Sequence, residues 1–151
     1  MTALGAFDGI HLAHAKVLRT TVERARALGA AALACTYEPH PNAVLHPDRA
    51  PAPIATPEEN LARMAQHGLD AALVIDFTLA FSQIEAEAFV ADVLVNRLHV
   101  KEVVVGYNHT FGREARGTAA LLQSLGARHG FAAHVLPPLQ VDGQTVSSST
   151  I

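Results

Sequence analysis

Two imidazoles, His11 and His14, stand three residues apart directly behind the run Gly5-Ala6-Phe7-Asp8-Gly9. Residues at i and i+3 share one face of a helix. The helical spacing of Leu12, Ala15, Leu18, Val22 and Ala25 begins at the same point. A helix N-terminus offers free backbone N–H groups and the positive end of the helix dipole. Phosphate fits such a place, and imidazoles there donate hydrogen bonds that strengthen as charge develops. Spacing alone leaves two other readings open. One histidine can cap the helix while the other is solvated, or His11, His14, Asp8 and His40 can surround a cation.

Three more stretches carry residues of the same kind. In "TYEPHPNAV", Pro39-His40-Pro41 is extended and stiff, which suits a pocket wall or an ordinary surface loop. In "GYNHTFGREARG", Gly106 and Gly112 bracket Asn108 and His109. Asn108 can hydrogen-bond a nucleotide or ribose, or it can stabilise a turn. Arg113 and Arg116 are placed either to reach phosphates or to be solvated beside a helix start. The closing "SSST" offers Ser147, Ser148 and Ser149 as hydroxyl donors, or simply as loop. Asp8-Gly9 is a turn signal, with Gly9 supplying a backbone shape closed to other residues.

The elements that position these stretches follow from periodicity and punctuation. Thr2–Phe7 reads as a strand, 11–28 as a helix closed by Gly29, and Ala31–Thr36 as a second strand, together a βαβ unit with parallel pairing. Residues 37–56 and the adjoining Pro57 hold Pro39, Pro41, Pro47, Pro51, Pro53 and Pro57, a density that predicts neither helix nor central strand. Thr56-Pro57-Glu58-Glu59 predicts a capped helix start ending at Gly68, and Ser82 with Glu85 predicts another. Ala71–Asp76 and Glu102–Val105 read as strands, and Phe89, Val93, Leu94 and Leu98 form the apolar face of a helix between them. A helix near Thr118–His129, a strand Phe131–Leu136 and a hairpin turning at Asp142-Gly143 complete the chain. The expected fold is α/β: one domain over residues 1–151, a mainly parallel sheet and helices on both faces. The first three chemical stretches then each follow a strand, at the carboxyl edge where open α/β sheets bind ligands, and "SSST" follows the hairpin.

Composition narrows the classes. The chain has 151 residues, half of them apolar, with aromatics at 5%. That length buries roughly 70% of the unfolded surface, in a core built from aliphatic side chains. A net charge of −3 argues against a nucleic-acid partner. No apolar stretch is long enough for a membrane span, and the start lacks the marks of a signal peptide. The single cysteine, Cys35, excludes an internal disulfide and reads as a buried small hydrophobe. A reducing, cytoplasmic setting is expected.

In order along the chain, "GAFDGIHLAH", "TYEPHP", "VVGYNHTFGREARG" and "SSSTI" resemble four motifs of the adenylyltransferase module of bacterial bifunctional riboflavin kinase/FMN adenylyltransferase, or FAD synthetase. The resemblance implies a Rossmann-like nucleotidyltransferase fold and the reaction of FMN with ATP, accompanied by Mg²⁺, to give FAD and pyrophosphate. It implies that His11, His14 and Asn108 are catalytic, the two histidines holding the ATP phosphates and Asn108 contacting the substrates' phosphates or the metal. It places Phe7, Asp8, Gly9, Arg116, Ser148 and Ser149 around ATP and its phosphates, and His40 and Pro41 beside the flavin, with no metal-ligating side chains. Three departures stand out: Ala13 replaces a motif glycine, His109 replaces an aromatic ring, and the motif arginine would follow Ile151. The start is short as well, and the family's riboflavin kinase module has no counterpart in these residues. The chain therefore reads as shortened at both ends, without kinase activity, whether as a fragment, a trimmed chain or a reduced protein. A nucleotide- or flavin-binding module without catalysis, and a transferase using another phosphate-containing acceptor, are the other readings.

Overall fold

The structure is a computed structural model, and it describes residues 1–5, 7, 12–48, 56–137, 140–141 and 144–145. Strand β1 (Thr2–Leu4) leads to helix α1 (Leu12–Leu28), β2 (Leu33–Glu38), the short α2 (Pro41–Leu45) and α3 (Pro57–Gln66). β3 (Ala71–Asp76) is followed by α4 (Leu79–Ser82) and by α5 (Ala86–Phe89), which continues in wider π-type winding over Val90–Arg97. β4 (Glu102–Gly106), α6 (Ala119–His129) and β5 (Ala132–Leu136) complete the main layer. The five strands lie in the order β3-β2-β1-β4-β5, and every neighbouring pair is parallel. A separate antiparallel pair, β6 (Gln140–Val141) and β7 (Gln144–Thr145), matches the expected hairpin; its Asp142-Gly143 turn lies outside the described residues.

Strand alternation splits the core in two. On one face, Ala3, Ala34 and Val104 pack with Val17, Leu18 and Ala25 of α1 and Met64 of α3. On the other, Leu4, Cys35, Val103 and Val105 pack with Phe89, Val90 and Leu94, and with Leu122 and Leu125 of α6. Helices thus cover both faces, as parallel sheets require. Cys35 is fully buried, and burial pushes its thiol up to about 12, which leaves it an inert apolar filler.

Local hydrogen bonding moved several boundaries away from the pattern. β1 stops at Leu4 instead of reaching Phe7, whose N–H donates to the Thr36 side chain (3.3 Å). β2 begins at Leu33, because the Ala32 N–H is taken by the Asp70 carboxylate (2.8 Å). It then runs to Glu38 in register with β3, two residues into the stretch expected to hold no strand. That stretch also contains α2, because proline is tolerated in a first turn and Pro41 opens the helix. Ser82 is not a cap. Its hydroxyl donates to the Leu79 carbonyl (2.6 Å) inside α4, while Thr78 caps that helix and Glu85 precedes α5 without a side-chain cap bond. The capping box of Thr56 and Glu59 forms as expected (3.1 and 3.2 Å).

One polar cluster ties α1 to the sheet. Glu102, 7% exposed at the start of β4, accepts three hydrogen bonds from the Arg24 guanidinium (2.9–3.1 Å) and contacts His134 of β5. Burial pushes the Glu102 carboxyl up, but hydrogen bonds from His134 and Arg24 outweigh it and hold the group below the usual carboxylate range. Glu102→Ala is expected to lower the unfolding free energy by about 3 kcal/mol in urea titrations, since Arg24 is half-exposed and partly rehydrates. The carboxylate's contribution is fully present above its unfolded pKa of about 4.3 and disappears as pH falls through the lower folded value. The stability gap between wild type and Glu102→Gln should therefore close below about pH 4.3.

Candidate functional site

The strand order reverses between β1 and β4: the chain builds β1, β2 and β3 outward on one side, then starts again with β4 and β5 on the other. Ala3 pairs with Val104 and Ala34, so the exits of β2, β1 and β4 stand in a row at the carboxyl edge. A crevice at such a switch point is where ligands enter this architecture.

After β1, Phe7 is 3% exposed and its ring meets the His14 ring edge-on (5.2 Å, 85°). His14 sits in the first turn of α1 and is half-buried. Phe7 thereby connects the first strand to the imidazole at the start of α1. His11, Asp8, Gly9, Ser148 and Ser149 lie outside the described residues. At the exit of β2, His40 and Pro41 are half-buried where α2 begins, and the His40 carbonyl accepts from Ala43 N–H (2.9 Å).

After β4 the chain makes a compact loop. Asn108 is exposed on a turn closed by the His109 N–H and the Gly106 carbonyl (3.2 Å). Phe111 and Gly117 exchange two backbone hydrogen bonds (3.0 and 2.8 Å), which pinch off residues 112–116. Gly112 has φ +76, and a Cβ there would come within 2.7 Å of the Ala86 backbone. Glu114 and Ala115 both have φ +55, a left-handed conformation uncommon for residues with side chains. The Arg116 guanidinium is exposed and paired with Glu114 (2.8 Å). Arg113 lies 3.5 Å from Glu85 and 3.8 Å from Glu114. Among the described residues no group of three or more His, Cys, Asp or Glu side chains is arranged to hold a metal.

His109 stacks on Phe111 (17° between planes, 6.1 Å between centroids). Burial pushes its imidazole down to about 4, so it is neutral near pH 7, and its Nε2 is buried without a hydrogen-bond partner among the described residues. The ring is one end of an aromatic chain that continues through Phe111, Phe89, Phe81 and Phe77 to Tyr37 at the end of β2. Sequence reasoning did not find this chain, because its members come from five separate segments and share no period. It also passed over Glu114, whose signal was the alternation Arg113-Glu114-x-Arg116.

A five-stranded parallel sheet in this order, with its polar loops at the carboxyl edge, defines a Rossmann-like α/β protein. The sequence pattern of FAD synthetase matches residues 1–150, and the chain belongs to that family. It is 29% identical to the bifunctional riboflavin kinase/FMN adenylyltransferase of Buchnera aphidicola, over 100% of this chain and 48% of that protein. It is 34% identical to the protein of the same name from Escherichia coli K12, over 85% of this chain and 41% of that one. The chain thus spans less than half the length of these two curated relatives. A crystal structure described as a macrolide-efflux protein from Streptococcus pneumoniae has the same fold, with a TM-score of 0.84 and 25% identity over 99% of this chain and 48% of that one.

Two substitutions test the build of the loop. Gly112→Ala is expected to cost about 2 kcal/mol in thermal unfolding, since the methyl group collides with backbone. His109→Phe keeps the stacked ring and removes a buried orphan polar atom, so it should raise stability by about 1 kcal/mol in the same assay.

Proposed function

We propose that this chain is an FMN adenylyltransferase domain: it transfers the adenylyl group of ATP, taken as its Mg²⁺ complex, to FMN, giving FAD and pyrophosphate. The observation that carries the reading is the family match over 1–150, three of whose motif stretches follow β1, β2 and β4 at the carboxyl edge of the sheet. A phosphate oxygen of FMN attacks the α-phosphorus in line, the bond to the bridging oxygen breaks, and pyrophosphate leaves with the electron pair. No covalent intermediate with the protein is needed, so catalysis is positioning and charge stabilisation.

In this reading His11 and His14 hold the ATP phosphates at the start of α1, on a turn shaped by Phe7, Asp8 and Gly9. Asn108 acts from the far side of the switch point, and Arg116 with Ser148 and Ser149 closes on the phosphates. His40 and Pro41 border the flavin. The reading sets the reaction in the cytoplasm and allows for a riboflavin kinase module on a longer form of the protein, as in the bifunctional relatives. Among the described residues no helix is long and apolar enough to cross a membrane.

Incubation with FMN, ATP and Mg²⁺ should yield FAD detectable by chromatography. His14→Ala should slow its formation by about ten- to a hundredfold, the effect of one hydrogen bond that strengthens in the transition state. Wild-type protein that makes no more FAD than His14→Ala would overturn the reading.

A further inference from the structure

We propose that the Glu114 carboxylate is a built-in stand-in for a phosphate group, seated between Arg113 and Arg116 until a phosphate or pyrophosphate of the substrates displaces it. The inference rests on the adenylyltransferase reading and adds a control of its phosphate site.

Three observations converge on it. The first is charge: the Glu114 carboxylate lies between two guanidiniums, with Oε2 hydrogen-bonded to Arg116 at 2.8 Å and Oε1 at 3.8 Å from Nε of Arg113, beyond hydrogen-bond reach, while the other end of Arg113 faces Glu85 at 3.5 Å. Two arginines converging on a small oxyanion are also the arrangement that holds a phosphate. The second is backbone: Glu114 and Ala115 are both left-handed, and that unusual pair of dihedrals sets Glu114 between the two arginines. The third is location: the segment follows β4 and the exposed Asn108, and its backbone is fastened below by Arg113 N–H to the Ile84 carbonyl (2.8 Å). Above that anchor, the side chains of Glu114 and Arg116 are each more than half exposed, so an incoming anion can reach them. An ion pair this exposed is weak, which suits a contact made to be exchanged.

The Arg116–Glu114 pair opens, the guanidinium turns to the phosphate oxygens, and the carboxylate is released to water. Glu114 therefore competes with substrate, and removing its charge should improve anion binding.

Calorimetric titration with magnesium pyrophosphate tests this on the chain as it stands. Glu114→Gln should tighten pyrophosphate binding about two- to fivefold, the range set by an exposed ion pair. Glu114→Gly removes the carboxylate and also relieves the left-handed strain. It should tighten binding equally while raising the melting temperature, and it serves as the readout if the glutamine variant folds poorly. Glu58→Gln, a control on α3, should leave the affinity unchanged, and in an Arg116→Ala background Glu114→Gln should bring no gain. Unchanged or weaker binding in both Glu114 variants overturns the proposal. So does an equal gain from Glu58→Gln, or a full gain without Arg116, because either reduces the effect to net charge. FAD formation is scored separately: turnover with no Glu114 effect sinks only this proposal, whereas a Glu114 effect without turnover sinks only the transfer reaction.

Discussion

Val17, Leu18 and Ala25 of α1 close on Ala3 of β1 and Val104 of β4, and this contact fixes where the first turn of α1 can lie. β1 is only Thr2–Leu4, fully buried between β2 and β4, so the helix has a narrow seat. Small residues line that seat: Ala3, Ala25, Ala32 and Ala34 are all completely buried. They let helix and strands approach closely, at the cost of leaving little volume for error. The Arg24–Glu102–His134 cluster then fastens the far end of α1 to β4 and β5. An apolar face alone resists separation but tolerates sliding along the helix axis. A carboxylate held by three hydrogen bonds from one guanidinium does not, and His14 at the other end inherits that register.

The second face of the sheet is organised differently. The chain has only six phenylalanines and two tyrosines, and four of the phenylalanines with Tyr37 form one continuous chain of ring contacts. That chain runs from the exit of β2 to the loop after β4, bridging two of the three strand exits that frame the site. Edge-on and tilted ring pairs set distance and angle more tightly than aliphatic contacts do. Most of the aromatic side chains are thus concentrated where two loops must hold a fixed separation, and aliphatic residues, with Phe7 and Phe131, fill the rest of the core.

Much of this arrangement was legible in the sequence because it depends on local chemistry. Alternating strands and helices announced the parallel sheet, and the capping residues Thr56 and Glu59 act within one turn of their own helix. The errors arose where a distant group intervened. Asp70 captures the Ala32 N–H from 38 residues away, which delays β2, and Thr36 captures the Phe7 N–H, which ends β1 early. Ser82 was expected to cap a helix, but Thr78, four residues earlier, caps α4 and leaves Ser82 inside it. Arg24, Glu102 and His134 lie on three different elements and gave no sequence signal of their association. At the site, the segments after β1, β2 and β4 could be placed on one edge from strand order alone, whereas the partners of Arg116 depend on dihedral angles that no spacing encodes.

The loop after β4 shows why a rigid body is needed beneath it. Left-handed Glu114 and Ala115 are unfavourable by themselves, and so is a buried imidazole nitrogen without a partner among the described residues. Such features persist only when their surroundings over-determine them. Here Gly112 is pressed against Ala86, Gly117 admits the Phe111 carbonyl only because it has no Cβ, and Phe111 itself is anchored in the core by Phe89. The favourable packing of Phe89, Leu94 and Leu122 against β4 is therefore coupled through one ring to the strained segment above it. A site that must hold charged groups in a fixed geometry gains from this coupling, because the strained loop cannot relax without withdrawing Phe111 from the core.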